Sequence, residues 1–101
     1  MARELEYLEE AVSDAEGAAR WYAERSPTAA VRFSAELEQA EAAILDRPEA
    51  WPIVGAGNRH YLLRRFPFSV VYRIEASRVL IVAVAHARRR PDYWSHPKRR
   101  A

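Results

Sequence analysis

Cationic and aromatic side chains that could bind an anionic partner follow one apolar run near the end of the chain. The run is residues 79–85, and the side chains that come after it are His86, Arg88, Arg89, Arg90, Tyr93 and Trp94. A guanidinium group presents a planar fork of donors that matches phosphate and carboxylate oxygens. An imidazole can take up and release a proton near neutral pH. These residue types favour either phosphate chemistry or the binding of an acidic partner.

Each of these side chains also has a structural interpretation. His86 could be hydrogen-bonded inside the fold, and Tyr93 and Trp94 could cover the edge of a sheet. Arg73 stands earlier, in a segment that alternates between two faces, and is expected to project onto a partly solvated face. Such an arginine has little structural purpose unless it pairs with Glu75 or with an acid on a helix, so Arg73 is the strongest functional candidate.

The charge of the chain is divided unequally between its two halves. Residues 1–50 contain 5 arginines and 12 acidic residues, a net charge of −7. Residues 51–101 contain 11 basic and 2 acidic residues, a net charge of +9. The basic half indicates an anionic partner, although the two halves could also neutralise each other across the fold. The adjacent like charges of residues 88–90 repel one another, which favours a partner.

The composition limits the possible classes of protein. A chain of 101 residues has the length of one domain, and its content of 50% hydrophobic and 30% charged residues excludes a disordered chain. The absence of cysteine and the spacing of the three histidines indicate no metal site, and we expect no cofactor. The N-terminus has no apolar signal segment, and no apolar run approaches the ~20 residues that cross a bilayer. We therefore expect a cytoplasmic protein that does not bind membranes.

Two helices are predicted in the N-terminal half. From Leu8 to about Arg25, apolar residues recur at three- and four-residue spacing, so one stripe of a helix faces a core. Ser26 and Pro27 then predict the N-cap and the first residue of a second helix. That helix should end before the next proline, which predicts an αα-hairpin over residues 9–47.

A sheet is predicted in the C-terminal half. Residues 48–58 contain two prolines and two glycines and are typical of a loop. Three candidate strands joined by short turns follow it and predict an antiparallel meander; they are residues 59–66, 69–75 and 78–87. Residues 3–7 could add a short strand. We predict an α+β domain in which the hairpin packs on one face of an antiparallel sheet of three to four strands, with a basic surface on the other face.

Several local strings resemble the RelE/ParE superfamily of bacterial toxins from type II toxin-antitoxin modules. In chain order they are Ala19-Arg20-Trp21-Tyr22, Phe33, Pro48, Trp51-Pro52, Arg65-Phe66-Pro67-Phe68, Val70-Val71-Tyr72-Arg73 and Val84-Ala85-His86-Ala87-Arg88-Arg89. The resemblance spans most of the chain and implies a single toxin domain over residues 1–101, with the same order of helices and strands.

The resemblance implies one of two activities, because one fold serves both. ParE-like members are regarded as poisons of DNA gyrase and are not nucleases, whereas RelE-like members cut messenger RNA on the ribosome. RelE-like sites carry lysines and an arginine on the central strands, and His60, Leu62 and Ser69 stand at those positions here. The ParE-like branch, with gyrase as the target, is therefore favoured.

Two alternatives to gyrase poisoning stay open. The first is a ribosome-dependent mRNA endoribonuclease, for which the catalytic candidates are Arg73, His86, Arg88, Arg89 and Tyr93. The second is a non-toxic basic module that binds nucleic acid through phosphate contacts alone.

The resemblance also implies a cognate antitoxin as partner, held in a toxin-antitoxin hetero-oligomer, and a role in growth inhibition and plasmid stabilisation. An acidic or amphipathic antitoxin segment could fold against the basic surface. The candidate partner-binding residues are Arg65, Arg73, Arg88, Arg89, Arg90 and Trp94.

Overall fold

Residues 3–88, which are described in the computed structural model, form two helices and five strands. In chain order the elements are β1 (Glu4–Tyr7), α1 (Glu9–Arg25), α2 (Pro27–Asp46), a 3-10 helix (Pro48–Ala50), β2 (Ile53–Gly55), β3 (Asn58–Leu62), β4 (Phe68–Ile74) and β5 (Arg78–His86). The prediction of an α+β domain with an N-terminal helical hairpin is confirmed.

A single residue, Ser26, joins the two helices. Its backbone N–H donates to the carbonyl of Tyr22 at 2.7 Å and so closes α1. Its hydroxyl accepts the N–H of Ala29 at 3.2 Å and so caps α2, whose first residue is Pro27. The same residue ends one helix through its backbone and starts the next through its side chain, and the Ser-Pro pair predicts this start.

The five strands form one mixed sheet in the order β1-β5-β4-β3-β2. Strands β2 to β5 are antiparallel neighbours, whereas β1 runs parallel to β5, with Tyr7 opposite Ile81. The hydroxyl of Tyr7 also donates to Glu41 of α2, which fixes β1 beneath the hairpin. Burial and this hydrogen bond raise the pKa of the Tyr7 phenol.

The sheet therefore has slightly more strands than the three to four predicted, and one of its pairings is parallel where an antiparallel sheet was predicted. Short turns report only the pairing of consecutive strands, so they could not place β1 beside the last strand. Strand β2 lies inside the segment predicted as a loop. The sequence did not indicate it, because it is only three residues long and runs directly into a glycine-rich turn. In that turn Gly55 and Gly57 have φ values of 122° and 76°, which favour glycine.

The predicted strand over residues 59–66 is shorter in the structure, because β3 ends at Leu62. The backbone N–H groups of Arg64 and Arg65 donate to one carboxylate oxygen of Glu36, at 2.8 and 3.2 Å. These donors are thus satisfied by α2 and not by a neighbouring strand, which turns residues 63–67 into a loop.

The main core lies between the hairpin and one face of the sheet. Its buried members include Ala11, Ala18, Phe33, Ala40, Ile44, Val70, Tyr72, Val79, Ile81 and Val84. At one end of this core, the rings of Tyr22, Phe33 and Phe66 pack with centroids 4.9 to 5.5 Å apart. Aromatic pairs at this distance add to the free energy gained by burial.

A β-bulge in β5 changes which side chains face the helices. Val71 pairs with Ala83 but Tyr72 pairs with Ile81, so Val82 is an extra residue in β5. Side chains alternate along a regular strand, and an extra residue reverses the alternation beyond it. After the bulge, the helix-facing positions of β5 become 84 and 86.

The face of the sheet away from the helices, here called the second face, is apolar in its middle. Val71, Val82, Ala83 and Ala85 form a second cluster and are at most 4% exposed. The prediction that this face carries a basic surface is therefore wrong for the middle of the sheet in the described residues. The reason is that small and β-branched apolar side chains occupy both faces of β5, as expected of a strand that is covered on both sides.

Candidate functional site

A groove lies between α1 and the last turn of the sheet, with a volume of about 780 Å³. It is here called the α1 groove. The side chains and backbone that define it are those of Asp14, Gly17, Trp21, Phe68, His86 and Arg88. One wall is the α1 helix with the small residue Gly17, and another is formed by the aromatic side chains of Trp21 and Phe68. The end that follows β5 is polar and contains Arg88. This arrangement suits a ligand or peptide that is part apolar and part anionic.

His86 enters this groove because of the β-bulge. Its ring meets Phe68 edge-on, with centroids 4.9 Å apart. Its Nδ1 atom accepts the backbone N–H of Arg88 at 3.0 Å, so Nδ1 carries no proton in this geometry and Nε2 is the donor of the neutral ring. Nδ1 is thus used inside the fold, as the structural interpretation of His86 anticipates.

Asp14 ties α1 to β5 inside the groove. Its carboxylate accepts the backbone N–H of Val84 at 3.1 Å. Beyond Ile81 the strand β1 has ended, so a helix carboxylate takes the position that a neighbouring strand would otherwise fill. Sequence reasoning missed Asp14, and the available signal was a single acid within a stripe of alanines on α1.

Trp21 and Gly17 also escaped the functional interpretation of the sequence. Trp21 is 51% exposed, and the guanidinium carbon of Arg25 lies 3.7 Å from the centroid of its ring. Gly17 is one turn earlier on the same side of the helix. A glycine inside a helix was the signal for this position, since glycine weakens a helix interior.

Arg65 and Arg88 lie at the same end of the sheet as His86, and both are exposed. Arg65 belongs to the loop before β4, while Arg88 follows β5. The N–H of Ala87 donates to Pro67 at 2.7 Å and holds these two segments together. Three of the sequence-predicted candidates, namely Arg65, His86 and Arg88, are therefore gathered at this end, here called the open end.

Arg73 lies at the opposite end of β4, here called the turn end. It is five residues from Phe68, a separation of roughly 17 Å along the strand. Its Nε atom is 3.2 Å from a carboxylate oxygen of Glu75, and Arg78 approaches the other oxygen at 2.6 Å. The hydrogen bond from Arg78 is the main cause that lowers the pKa of Glu75. Arg73 is thus part of an ion-pair network and shares no site with His86.

The positions at which RelE-like members carry cations lie near the open end. Leu62 pairs with Ser69 and Ser69 with Ala85, which makes a row of uncharged side chains across three strands. His60 pairs with Val71, and burial lowers the pKa of its imidazole. Within residues 3–88, these strand positions therefore bring no cation to the surface that a RelE-like site would use.

The remaining sequence-predicted candidates, Arg89, Arg90, Tyr93 and Trp94, lie outside the described residues. Within the described part, no group of three or more histidine, cysteine or acidic side chains is arranged to hold a metal ion. Neither described helix is both long and apolar enough to span a bilayer.

Comparison with known proteins identifies the family. A solved structure described as the chromosomal ParDE TA system from P. aeruginosa matches with a TM-score of 0.74 and 18% sequence identity, over 84% of this chain and 96% of that chain. At this identity the match shows the fold. Comparison with curated protein sequences gives no match. The family of ParE toxins of type II toxin-antitoxin systems, parDE, matches residues 5–91. The chain therefore belongs to the ParE toxin family, as its resemblance to the ParE-like branch predicts.

Proposed function

We propose that this chain inhibits bacterial growth in the cytoplasm by poisoning DNA gyrase, and that a cognate antitoxin binds and neutralises it. Its membership of a toxin family supports the toxic role. The P. aeruginosa relative is described as a ParDE toxin-antitoxin system, which supports an antitoxin as partner. The choice of gyrase over the ribosome depends on the charge of the strand surface at the open end.

The observation that most favours gyrase is the uncharged row of Leu62, Ser69 and Ala85 on the second face. RNA cleavage develops negative charge on the scissile phosphate, and preorganised cations stabilise that charge in the transition state. Removing one such donor commonly costs a factor of about 10² to 10³ in rate. A protein that lacks these cations on its central strands should therefore cleave RNA poorly. The uncharged row fits the ParE-like activity better than RNA cleavage.

The described candidates do not supply a substitute set of cations. His86 faces the helices, on the opposite side of the sheet from the uncharged row. The bulge at Val82 causes this, because it reverses the alternation of side chains in the part of β5 that leads to His86. Arg73 lies at the turn end and is paired with Glu75. Arg88 is exposed at the open end, but one arginine cannot both stabilise the phosphate and move the proton of a 2′-hydroxyl.

The test induces the chain in a bacterial host and follows both targets in parallel. We expect growth arrest, cleaved DNA that accumulates on purified gyrase, and no new 5′ ends on polysome-bound transcripts. Arg47→Ala is the matched control, because Arg47 lies at the end of α2 with its side chain 81% exposed. This control should be as toxic as the unaltered chain.

Two outcomes would contradict the proposal. New transcript ends that disappear in Arg88→Ala or His86→Ala, without gyrase-linked breaks, would assign the protein to ribosome-dependent RNA cleavage. Harmless strong expression, combined with nucleic-acid binding that weakens steeply with salt and yields no product, would indicate a non-toxic binding module.

A further inference from the structure

The side of α2 that faces away from the core carries a second stripe, which is mainly apolar. Its members are all exposed and follow one another at four- and three-residue spacing. They are here called the outer stripe and are Val31, Ala35, Glu38, Ala42 and Leu45. Val31 is 70% exposed and Leu45 is 39% exposed. This spacing places the side chains along one line of a helix and is the spacing of the contact line in a coiled coil.

The helix has a separate stripe for the core of its own chain. Phe33, Ala40 and Ile44 are at most 1% exposed and belong to the main core. With 3.6 residues in each turn, Val31 is rotated by about 160° from Phe33, and Ala42 by about 160° from Ala40. The outer stripe therefore lies on the opposite side of α2, and burial within its own fold does not explain it.

A shallow groove lies beside the first half of the outer stripe. Its volume is about 400 Å³, and it is lined by Ala30, Val31, Ser34, Ala35 and Glu38. The small side chains among these allow another helix to approach α2 closely. Single exposed apolar residues are ordinary on a protein surface, whereas a contiguous stripe beside a groove is typical of an interaction surface.

The charges beside the outer stripe identify the partner. Arg32, Gln39 and Asp46 are exposed and lie seven residues apart on one flank, so their order along the helix is positive, neutral and negative. A second α2 that runs in the opposite direction presents the reverse order. Arg32 of each copy then approaches Asp46 of the other, and the two Gln39 side chains meet at the two-fold axis. Arg47 lies 3.8 Å from Asp46 in its own chain, but both side chains are at least 80% exposed, so this contact is weak.

The antiparallel arrangement also suits the charged member of the outer stripe. In this register, Glu38 of one copy faces Ala42 of the other. Ala35 likewise faces Leu45, so a small residue meets a large one. A parallel pair would instead place Glu38 against Glu38 of the second copy, with like charges in contact. The outer stripe is therefore self-complementary when the two helices run antiparallel.

We propose that a second copy of this chain docks on the outer stripe and forms an antiparallel homodimer through α2. One pair of helices is a small contact compared with the total of about 1,200 to 2,000 Å² that a standard stable interface buries. The dimer is therefore weak, and its population depends on the concentration of the chain. The described residues that line the α1 groove include none from α2, so the dimer contact does not use that groove.

The test reverses the two flanking charges separately and then together. Sedimentation equilibrium of the purified full-length chain, up to about 1 mM, measures the dissociation constant of the dimer. Arg32→Asp should raise this constant by about tenfold or more, and so should Asp46→Arg, because each reversal brings two pairs of like charges together. The double variant should recover the affinity of the unaltered chain. An equimolar mixture of the two single variants should recover it as well, because each chain then supplies the charge that the other needs.

A second variant and a control accompany the reversals. Ala35→Glu places an acid opposite Leu45 of the other copy and should also raise the dissociation constant by about tenfold or more. The matched control is Arg20→Asp, which makes the same change of charge as Arg32→Asp at an exposed position of α1. It should dimerise like the unaltered chain. Circular dichroism should show all the variants folded, because every altered position is exposed.

Three outcomes would overturn the inference. The unaltered chain could stay monomeric at about 1 mM, and outer-stripe variants that then weaken antitoxin binding would assign this face to that partner. A dimer that neither charge reversal weakens would use another surface. Single reversals that weaken the dimer, without recovery in the double variant or the mixture, would exclude the antiparallel register. Loss in each single variant, with recovery in both combinations, supports the homodimer, and growth arrest is measured separately from all of these.

Discussion

The two ends of the β4–β5 pair contain the same kinds of side chain and use them differently. At the turn end, Arg73 and Arg78 share the carboxylate of Glu75, and Arg78 also reaches Glu6 at 3.1 Å. At the open end, Arg65 and Arg88 are exposed, and the carboxylate of Glu36 is hydrogen-bonded to the backbone N–H groups of Arg64 and Arg65. Arginines of the turn end therefore serve the fold, and those of the open end are exposed to solvent.

This difference shows that the net charge of a segment does not locate its binding surface. The C-terminal half is strongly basic, yet Arg59 also acts inside the fold, where it donates to the carbonyl oxygens of Glu49 and Trp51. What distinguishes the open end is that its two arginines are exposed, whereas Arg73 and Arg78 at the turn end are paired with Glu75. A cation without an intramolecular acid is the one that can pair with another molecule.

The largest expected effect concerns the aromatic support of the open end. Phe33 is 1% exposed and contacts the rings of both Phe66 and Phe68, and Phe68 in turn contacts the ring of His86. Phe33→Ala should lower the free energy of unfolding by about 3 to 5 kcal/mol, because it leaves a cavity in the core. Denaturant titration measures this loss. A loss below about 1 kcal/mol would show that the open end does not depend on the hairpin.

An intermediate effect should separate the two ends directly. Arg73→Ala should lower the free energy of unfolding by only about 0.2 to 1 kcal/mol, because both side chains of its ion pair with Glu75 are partly exposed and solvent weakens the pair. It should leave antitoxin binding unchanged. Arg88→Ala should show the reverse, with unaltered stability and an affinity several-fold lower at low salt. Equal effects of the two substitutions on binding would remove the distinction between the ends.

The smallest effect is a pH dependence that belongs to the turn end. Hydrogen bonds from Arg78 and Arg73 lower the pKa of Glu75 below its ordinary value of 4.5. The unfolded chain therefore binds this proton more readily, so the stabilisation is present above pH 4.5 and is lost as the pH falls through the lower folded pKa. Glu75→Gln should flatten the melting temperature between about pH 5 and pH 3. An unchanged pH profile would contradict the pairing.

The helical hairpin could be predicted from the sequence because its signals are local. Ser26 and Pro27 mark the joint, and the apolar spacing of each helix marks the buried face. The direction in which His86 points could not be predicted, because it depends on the extra residue Val82 in β5. Such a bulge leaves no clear mark in a run of apolar residues, since any of them can occupy either face.

From the sequence, Arg73 could either bind a partner or pair with Glu75, and the sequence did not decide between the two. The β4–β5 turn also brings Arg78 to Glu75, and this contact is seen only in the folded structure. Gly17 was overlooked for a different reason. Its meaning depends on the empty space around it, and a periodic pattern records which residues are apolar but not how close a neighbour comes.

The parallel pairing of β1 with β5 has a consequence for the synthesis of this protein. Tyr7 and its partner Ile81 are 74 positions apart in the sequence. At a translation rate of about 5 to 20 residues per second, the first strand is synthesised roughly 4 to 15 s before its partner. The groove also needs residues 84–88, which are added later still. A nascent chain therefore lacks this groove until residues 84–88 have been added, and a chain released before Ile81 would have no strand to pair with β1.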